Sequence, residues 1–329
     1  MRKIVTSLVG SFMVFCVALS FSTATQVLAA TAAPSMDKIK AFVSILPQAY
    51  FVERVGGNRV QVSVMVGPGQ SPHTYEPSPV QMSEMSEARL YFRIGVDFEN
   101  VWMERVSKIN PNMRVIDTRL GIELRPMKVH HHEEAHDDHE AKHHERHRQD
   151  RPTEYKSHHH HHDGKGMKDP HIWLSLRLVK IQAETICQAL TDEDPSHRPY
   201  YEANLKAFHR DLDKLDREIA RSLKDMKSRK FMVFHPAWGY FAYDYGLEEI
   251  PIEIEGKEPT AKSLHHVIEE AKEEGIKIIF VQKQFSSASA ETVARAIGGR
   301  VVQINPLARN YLNNMRQVAN ALVEALRKS

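Results

Sequence analysis

Val60-Gln61-Val62-Ser63-Val64-Met65-Val66-Gly67-Pro68-Gly69 sets a valine at every second position and then runs into a Gly/Pro turn, and Ser78-Pro79-Val80-Gln81 follows shortly after. The first stretch reads as a half-buried β-strand, whose side chains alternate between two faces. The second is a capping box: serine as cap, proline at the first helical position, glutamine three residues on. Strand, turn and helix in that order form the unit of a parallel α/β sheet.

Further strands are expected on both sides, at residues 41–45, 90–94 and 113–116. They place residues 36–198 in an N-terminal α/β lobe. Four more apolar runs, at 231–234, 250–254, 276–282 and 301–304, alternate with helical patterns. Leu264, Val267, Ile268 and Ala271 mark one helix, closed by Gly275; residues 290–297 mark another, closed by Gly298. Residues 228–329 therefore read as a second α/β lobe. Between the lobes lies one long helix, residues 199–227. Pro199 sits near its start, and Leu205, Phe208, Leu212, Leu215, Ile219, Leu223 and Met226 recur at steps of three or four. A coiled-coil seam is the alternative, but the stripe spans under four heptads and the step from Ile219 to Leu223 breaks heptad spacing. Packing within the molecule is the better reading.

The chain has 329 residues, 42% hydrophobic and 26% charged, with 44 Lys+Arg against 42 Asp+Glu. That balance excludes whole-chain disorder, and it lacks the basic excess of a nucleic-acid binder. Residues 1–30 have the layout of a cleavable export signal: Arg2 and Lys3, an apolar core, then small residues, with cleavage expected within 29–33. The competing readings are a membrane anchor, which the polar residues from Ser20 to Thr25 dilute, and a lipoprotein site at Cys16, which lacks small residues before it. Removing the signal leaves one cysteine, Cys187, set in a helical pattern as a buried small side chain. No later run is long and apolar enough to span a membrane. The product is expected to be exported, soluble and periplasmic.

Histidine is the anomaly. Of 20 in the chain, 13 fall within residues 130–162. The segment 128–168 has no apolar periodicity and reads as a disordered, metal-philic loop. His158, His159, His160, His161 and His162 look like an affinity tag, although an internal position argues against a vector remnant. His132-Glu133-Glu134-Ala135-His136 and His139-Glu140-Ala141-Lys142-His143 match the zinc-protease pattern, which works only on a helix with an apolar face; a tract this rich in His and Glu produces such matches by chance. Weak multi-site metal capture is favoured over a merely tolerated insertion.

Seven histidines remain outside the loop, and they are not equivalent. His73 follows the Val60 strand, and His235 comes directly after the strand at 231–234. Ligands bind parallel α/β sheets at such carboxyl ends. His171 lies in Asp169-Pro170-His171-Ile172-Trp173, ahead of a helical stretch that Asp169 is placed to cap. His209, His265 and His266 fall inside helices and His197 in a polar turn, so these four read as structural or surface residues. Three imidazoles from separate parts of the chain suit a borderline cation such as Zn2+, which they bind only when neutral.

Three motifs carry a family resemblance: Pro72-His73-Thr74-Tyr75-Glu76-Pro77-Ser78-Pro79, Asp169-Pro170-His171-Ile172-Trp173-Leu174 and Phe234-His235-Pro236-Ala237-Trp238-Gly239-Tyr240-Phe241. Together they resemble the metal-binding receptors of zinc/manganese ABC transporters, over essentially the whole exported chain. The resemblance implies two lobes joined by one long rigid helix, with a transition metal held in the interlobe cleft by His73, His171 and His235. Histidine at the third position, where manganese receptors carry a carboxylate, points to the zinc branch. Two motifs depart from the pattern. Asn305-Pro306-Leu307 replaces Asp-Pro-Leu, which leaves Asn305 as an uncertain fourth ligand, and Gln282-Lys283-Gln284 replaces Glu-Pro-Gln.

The expected protein is a monomeric, non-enzymatic receptor that captures Zn2+ and delivers it to the membrane subunits of an ABC permease. Its alternatives are the same module selective for Mn2+, Ni2+ or Co2+, or a secreted three-histidine zinc hydrolase, for which no positioned general base is identifiable.

Overall fold

The structure is a computed structural model that describes residues 38–127, 168–253, 258–285 and 287–328. The expected export signal and the His-rich segment, with its tag-like run and both protease-like matches, lie outside the described residues.

The strand that begins at Val60 is β2, and its valines pair in parallel register with β1: Val62 lies opposite Ala41 and Val64 opposite Val43. The first sheet comprises β1 (Ile39–Ile45), β2 (Val60–Val66), β3 (Leu90–Arg93) and β4 (Arg114–Asp117), in the spatial order β2-β1-β3-β4. The second comprises β5 (Lys230–Val233), β6 (Glu248–Pro251), β7 (Ile278–Val281) and β8 (Arg300–Gln303), in the order β6-β5-β7-β8. All pairings within both sheets are parallel, and the two lobes repeat one topology. The central strand β1 is apolar almost throughout because helices cover both faces of a parallel sheet.

The helices are α1 (Leu46–Gly56), α2 (Pro79–Met85), α3 (Asp97–Ile109), α4 (Leu176–Glu193), α5 (Arg198–Leu223), α6 (Gly239–Tyr245), α7 (Ala261–Glu273), α8 (Ala288–Ala296) and α9 (Tyr311–Lys328). The capping box at α2 forms as read: Ser78 Oγ accepts from Gln81 N at 3.3 Å, and Gln81 Oε1 accepts from Ser78 N at 3.0 Å.

The long helix is α5, 26 residues and so about 39 Å at 1.5 Å per residue. Its stripe of Phe208, Leu212, Leu215, Ile219 and Leu223 is buried against α1, α4 and α9, so the coiled-coil alternative falls. Phe208 packs among Tyr50 and Phe51 of α1, and Phe51 meets Tyr311 of α9 edge-on at 4.9 Å. One hydrophobic core therefore continues from the first lobe through α5 into the second. A smaller core of Met232, Ile250, Ile279 and Val293 serves the second sheet alone.

Polar contacts tie the lobes as well. Trp173 Nε1 donates to the Pro306 carbonyl at 2.8 Å, Ser175 Oγ donates to Asp244 at 2.6 Å, and Tyr240 OH donates to the Asp169 carbonyl at 3.0 Å. Pro126 and Lys168 form an antiparallel bridge, so Lys168, the last residue of the expected loop, pairs with the first lobe.

A candidate metal centre at the sheet edges

The carboxyl ends of both sheets face one small cavity. Its walls come from the turns after β2, β3, β5, β7 and β8 and from the segment around His171. This is where the topology of open parallel sheets leaves room for a ligand.

His73 sits in the β2–α2 connection. Gln81 anchors that connection: its Nε2 donates to the carbonyls of Val64 and Met65 at 3.1 and 2.8 Å, and Tyr75 OH donates to its Oε1 at 2.6 Å. The helix start read from the sequence is thus also the clamp on the His73 loop. His235 leaves the end of β5, and His171 opens a short helical turn, Ile172–Leu174, at the mouth of α4.

One ring nitrogen from each of the three histidines lies within 4.8 Å of the others. The Nε2 atoms of His171 and His235 stand 3.4 Å apart. Two donors bound tetrahedrally to one zinc ion, at about 2.0–2.1 Å each, stand about 3.3 Å apart. That pair is already at chelating distance, and His73 completes the triangle from the wetter side. His171 and His235 are buried, whereas His73 is exposed.

Each ring is held through its other nitrogen by a carboxylate. His73 Nδ1 meets Asp97 Oδ2 at 2.5 Å, His171 Nδ1 meets Asp169 Oδ1 at 2.7 Å, and His235 Nδ1 meets Glu253 Oε1 at 2.5 Å. A carboxylate at Nδ1 fixes the proton there and leaves Nε2 as a lone-pair donor, the arrangement that orients histidine toward metals. Asp169 also accepts the His171 backbone N–H at 2.9 Å. It does not cap the following helix; Ser175 caps α4, accepting from Leu178 N at 3.1 Å. A Cβ on Gly239 would stand 3.1 Å from Asp169 Oδ2, which explains a glycine in the His235 motif.

Burial pushes the pKa of His235 below its ordinary 6.5, and its contact with Glu253 works the other way; the balance keeps the ring neutral at physiological pH. The His73 hydrogen bond holds the Asp97 carboxyl below its ordinary range. Three outer carboxylates surround the three imidazoles. They put negative charge close to the rings.

The structure brings His73, His171 and His235 together but does not bring Asn305 to them. Asn305 Oδ1 accepts from Leu307 N at 2.9 Å, and the residue lines a separate cavity with Asn310 and Asn314. Pro306 and Leu307 reach the histidine cavity instead. Sequence reasoning missed Asp97 and Glu253 as ring partners. Only Asp169, two residues from its histidine, had a local signal.

The chain belongs to the family described as ZnuA, zinc-uptake complex component A periplasmic, whose profile matches residues 42–325. It is 26% identical over 304 residues to the high-affinity zinc uptake system protein ZnuA of Bacillus subtilis, covering 88% of each chain. It is 30% identical over 277 residues to the zinc-binding protein AdcA of Streptococcus pyogenes, covering 82% of this chain but only 50% of that longer relative. Among solved structures, a 138–173 deletion mutant of ZnuA with zinc bound superposes with a TM-score of 0.74 at 41% identity, covering 88% of this chain and 98% of the other.

Proposed function

We propose that this protein is a zinc receptor: His73, His171 and His235 capture one Zn2+ between the lobes, and the loaded protein delivers it to the membrane subunits of an ABC permease. Supporting this reading are the family membership and the zinc-binding relatives. The observation that carries it is the convergence of three imidazole nitrogens, each ring fixed by its own carboxylate, on one point in an interlobe cavity.

The geometry supplies capture without bond-making chemistry. The buried pair provides a preformed two-nitrogen bite, and the exposed His73 closes on the ion from solvent. Because every donor must be neutral, protons compete with zinc, and affinity falls steeply below about pH 6. A periplasmic location is supported by the family's description as a periplasmic component. Export through residues 1–30, a monomeric state and the absence of catalysis are part of the proposal. Against the hydrolase alternative, the three carboxylates nearest the rings are each bonded to an imidazole, whereas metal-assisted hydrolysis needs a general base aimed at bound water.

The test is a zinc titration of the purified chain and of His171→Ala, with parallel assays of ester and peptide hydrolysis. One tight site that weakens by at least about tenfold in the variant supports the reading. An unchanged dissociation constant removes His171 from the site, and zinc-dependent turnover replaces the receptor by an enzyme.

A further inference from the structure

We infer that Gln284 supplies the fourth donor of the site through its amide oxygen, and that this neutral donor sets the preference among divalent ions. The inference deepens the zinc-receptor reading and rests on it.

The three histidines and Gln284 line the same small cavity. Gln284 Oε1 is buried and has no hydrogen-bond partner among the described residues. Buried side-chain acceptors almost always have a partner, so an orphaned one marks a place where something else binds. Two neighbours hold Gln284 close to the rings. Phe285, the next residue, stacks on the His235 imidazole with centroids 4.7 Å apart and planes 20° apart. Gln282, two residues earlier, donates through its amide nitrogen toward the His235 carbonyl at 3.5 Å. The turn after β7 is therefore laid against His235, with Gln284 between two anchored residues.

The competing fourth donor, Asn305, spends its side-chain oxygen on Leu307 N. Gln284 has no such commitment. Three imidazoles and one amide oxygen make an N3O set with no charge of its own, and the outer carboxylates balance the ion from a distance. Such a set suits borderline ions such as Zn2+ and Co2+. Mn2+ is better served by carboxylate oxygen, so a neutral oxygen at this corner discriminates against it.

The test compares the full chain with Gln284→Leu and Gln284→Glu, each given one equivalent of metal so that the tightest site fills first. Zinc affinity is measured by competition with a chelator, Mn2+ affinity by titration, and coordination by the visible absorption of the Co2+ form. Circular dichroism melts of the metal-free proteins report folding. Gln284→Leu is expected to weaken zinc by about tenfold or more and to change the Co2+ band, because an oxygen ligand is lost. Gln284→Glu is expected to narrow the Mn2+-to-Zn2+ affinity gap by about tenfold. Unchanged zinc affinity or an unchanged Co2+ band in the leucine variant overturns the inference. If that variant fails to fold, the glutamate variant decides alone, and an unaltered affinity gap overturns the inference. If the unsubstituted chain itself holds no tight zinc, the receptor reading has failed instead.

Discussion

Glu253→Gln isolates what one outer charge contributes to the site. Glu253 is 3% exposed, and its Oε1 lies 2.5 Å from His235 Nδ1. Glutamine keeps an oxygen that can accept the same N–H, so the tautomer survives and only the charge is lost. An ion bound at Nε2 would lie on the order of 6–7 Å from the carboxylate oxygen, from the ring span and a Zn–N bond of about 2 Å. At an effective dielectric of about 20, a divalent ion and a unit charge at that distance attract by roughly 5 kcal/mol, an upper bound before relaxation. Substitutions of such ring-orienting partners cost about 10–100-fold in metal affinity, or roughly 1.4–2.7 kcal/mol. The expectation is therefore a 10–100-fold weaker zinc dissociation constant at pH 7.5, by competition titration.

The pH dependence gives a second handle on the same variant. Glu253 holds the pKa of His235 up against the lowering effect of burial. Without that charge the ring becomes harder to protonate, so protons compete less with zinc below about pH 6.5. The gap between the two proteins should narrow as pH falls from 7.5 toward 5.5. Equal affinity at pH 7.5, or a gap that widens on acidification, would refute the reasoning.

Three further outcomes are expected. Asn305→Ala should leave zinc affinity within about threefold, because that side chain serves the Leu307 turn and not the cavity; a loss of about tenfold by calorimetry would return Asn305 to the site. Deleting residues 130–162 should lower the number of zinc ions bound per chain, measured by elemental analysis, while one tight site persists. Phe208→Ala should destabilise the metal-free protein by about 3–5 kcal/mol in denaturant titration, since Phe208 is fully buried among Tyr50, Phe51 and Arg54.

The strands were legible because valine, isoleucine and phenylalanine runs end in turn residues, and their observed bounds differ from the expected ones by two residues at most, apart from the end of 250–254, which runs three residues past β6. The three histidines were legible because each sits at a strand end or in a Pro-containing turn. What stayed hidden depends on long-range topology. Asp97 is 24 residues from His73 and Glu253 is 18 from His235, and only the parallel sheets, with β1 between β2 and β3 and with β6 beside β5, bring them together. Gln284 lies in a motif noticed for its departures at Gln282 and Lys283, and it matches the pattern itself; a linear string cannot show that its amide oxygen is buried and unpaired. The helix α9 could have been read: Met315, Val318, Leu322 and Leu326 recur at helical spacing and are buried against the rest of the core.

The seam of Phe51, Phe208 and Tyr311, reinforced by the Trp173–Pro306 bond, bears on how the ion is let go. Parting the halves would expose this apolar belt to water, so the molecule behaves as a socket and not as a jaw. On the proposed function, loading and unloading would then fall to the exposed His73 side chain, since its loop is clamped by Gln81. Scattering profiles of the empty and zinc-filled protein should accordingly superimpose, and a receiving permease of the proposed kind would have one imidazole to pry loose instead of a domain to swing.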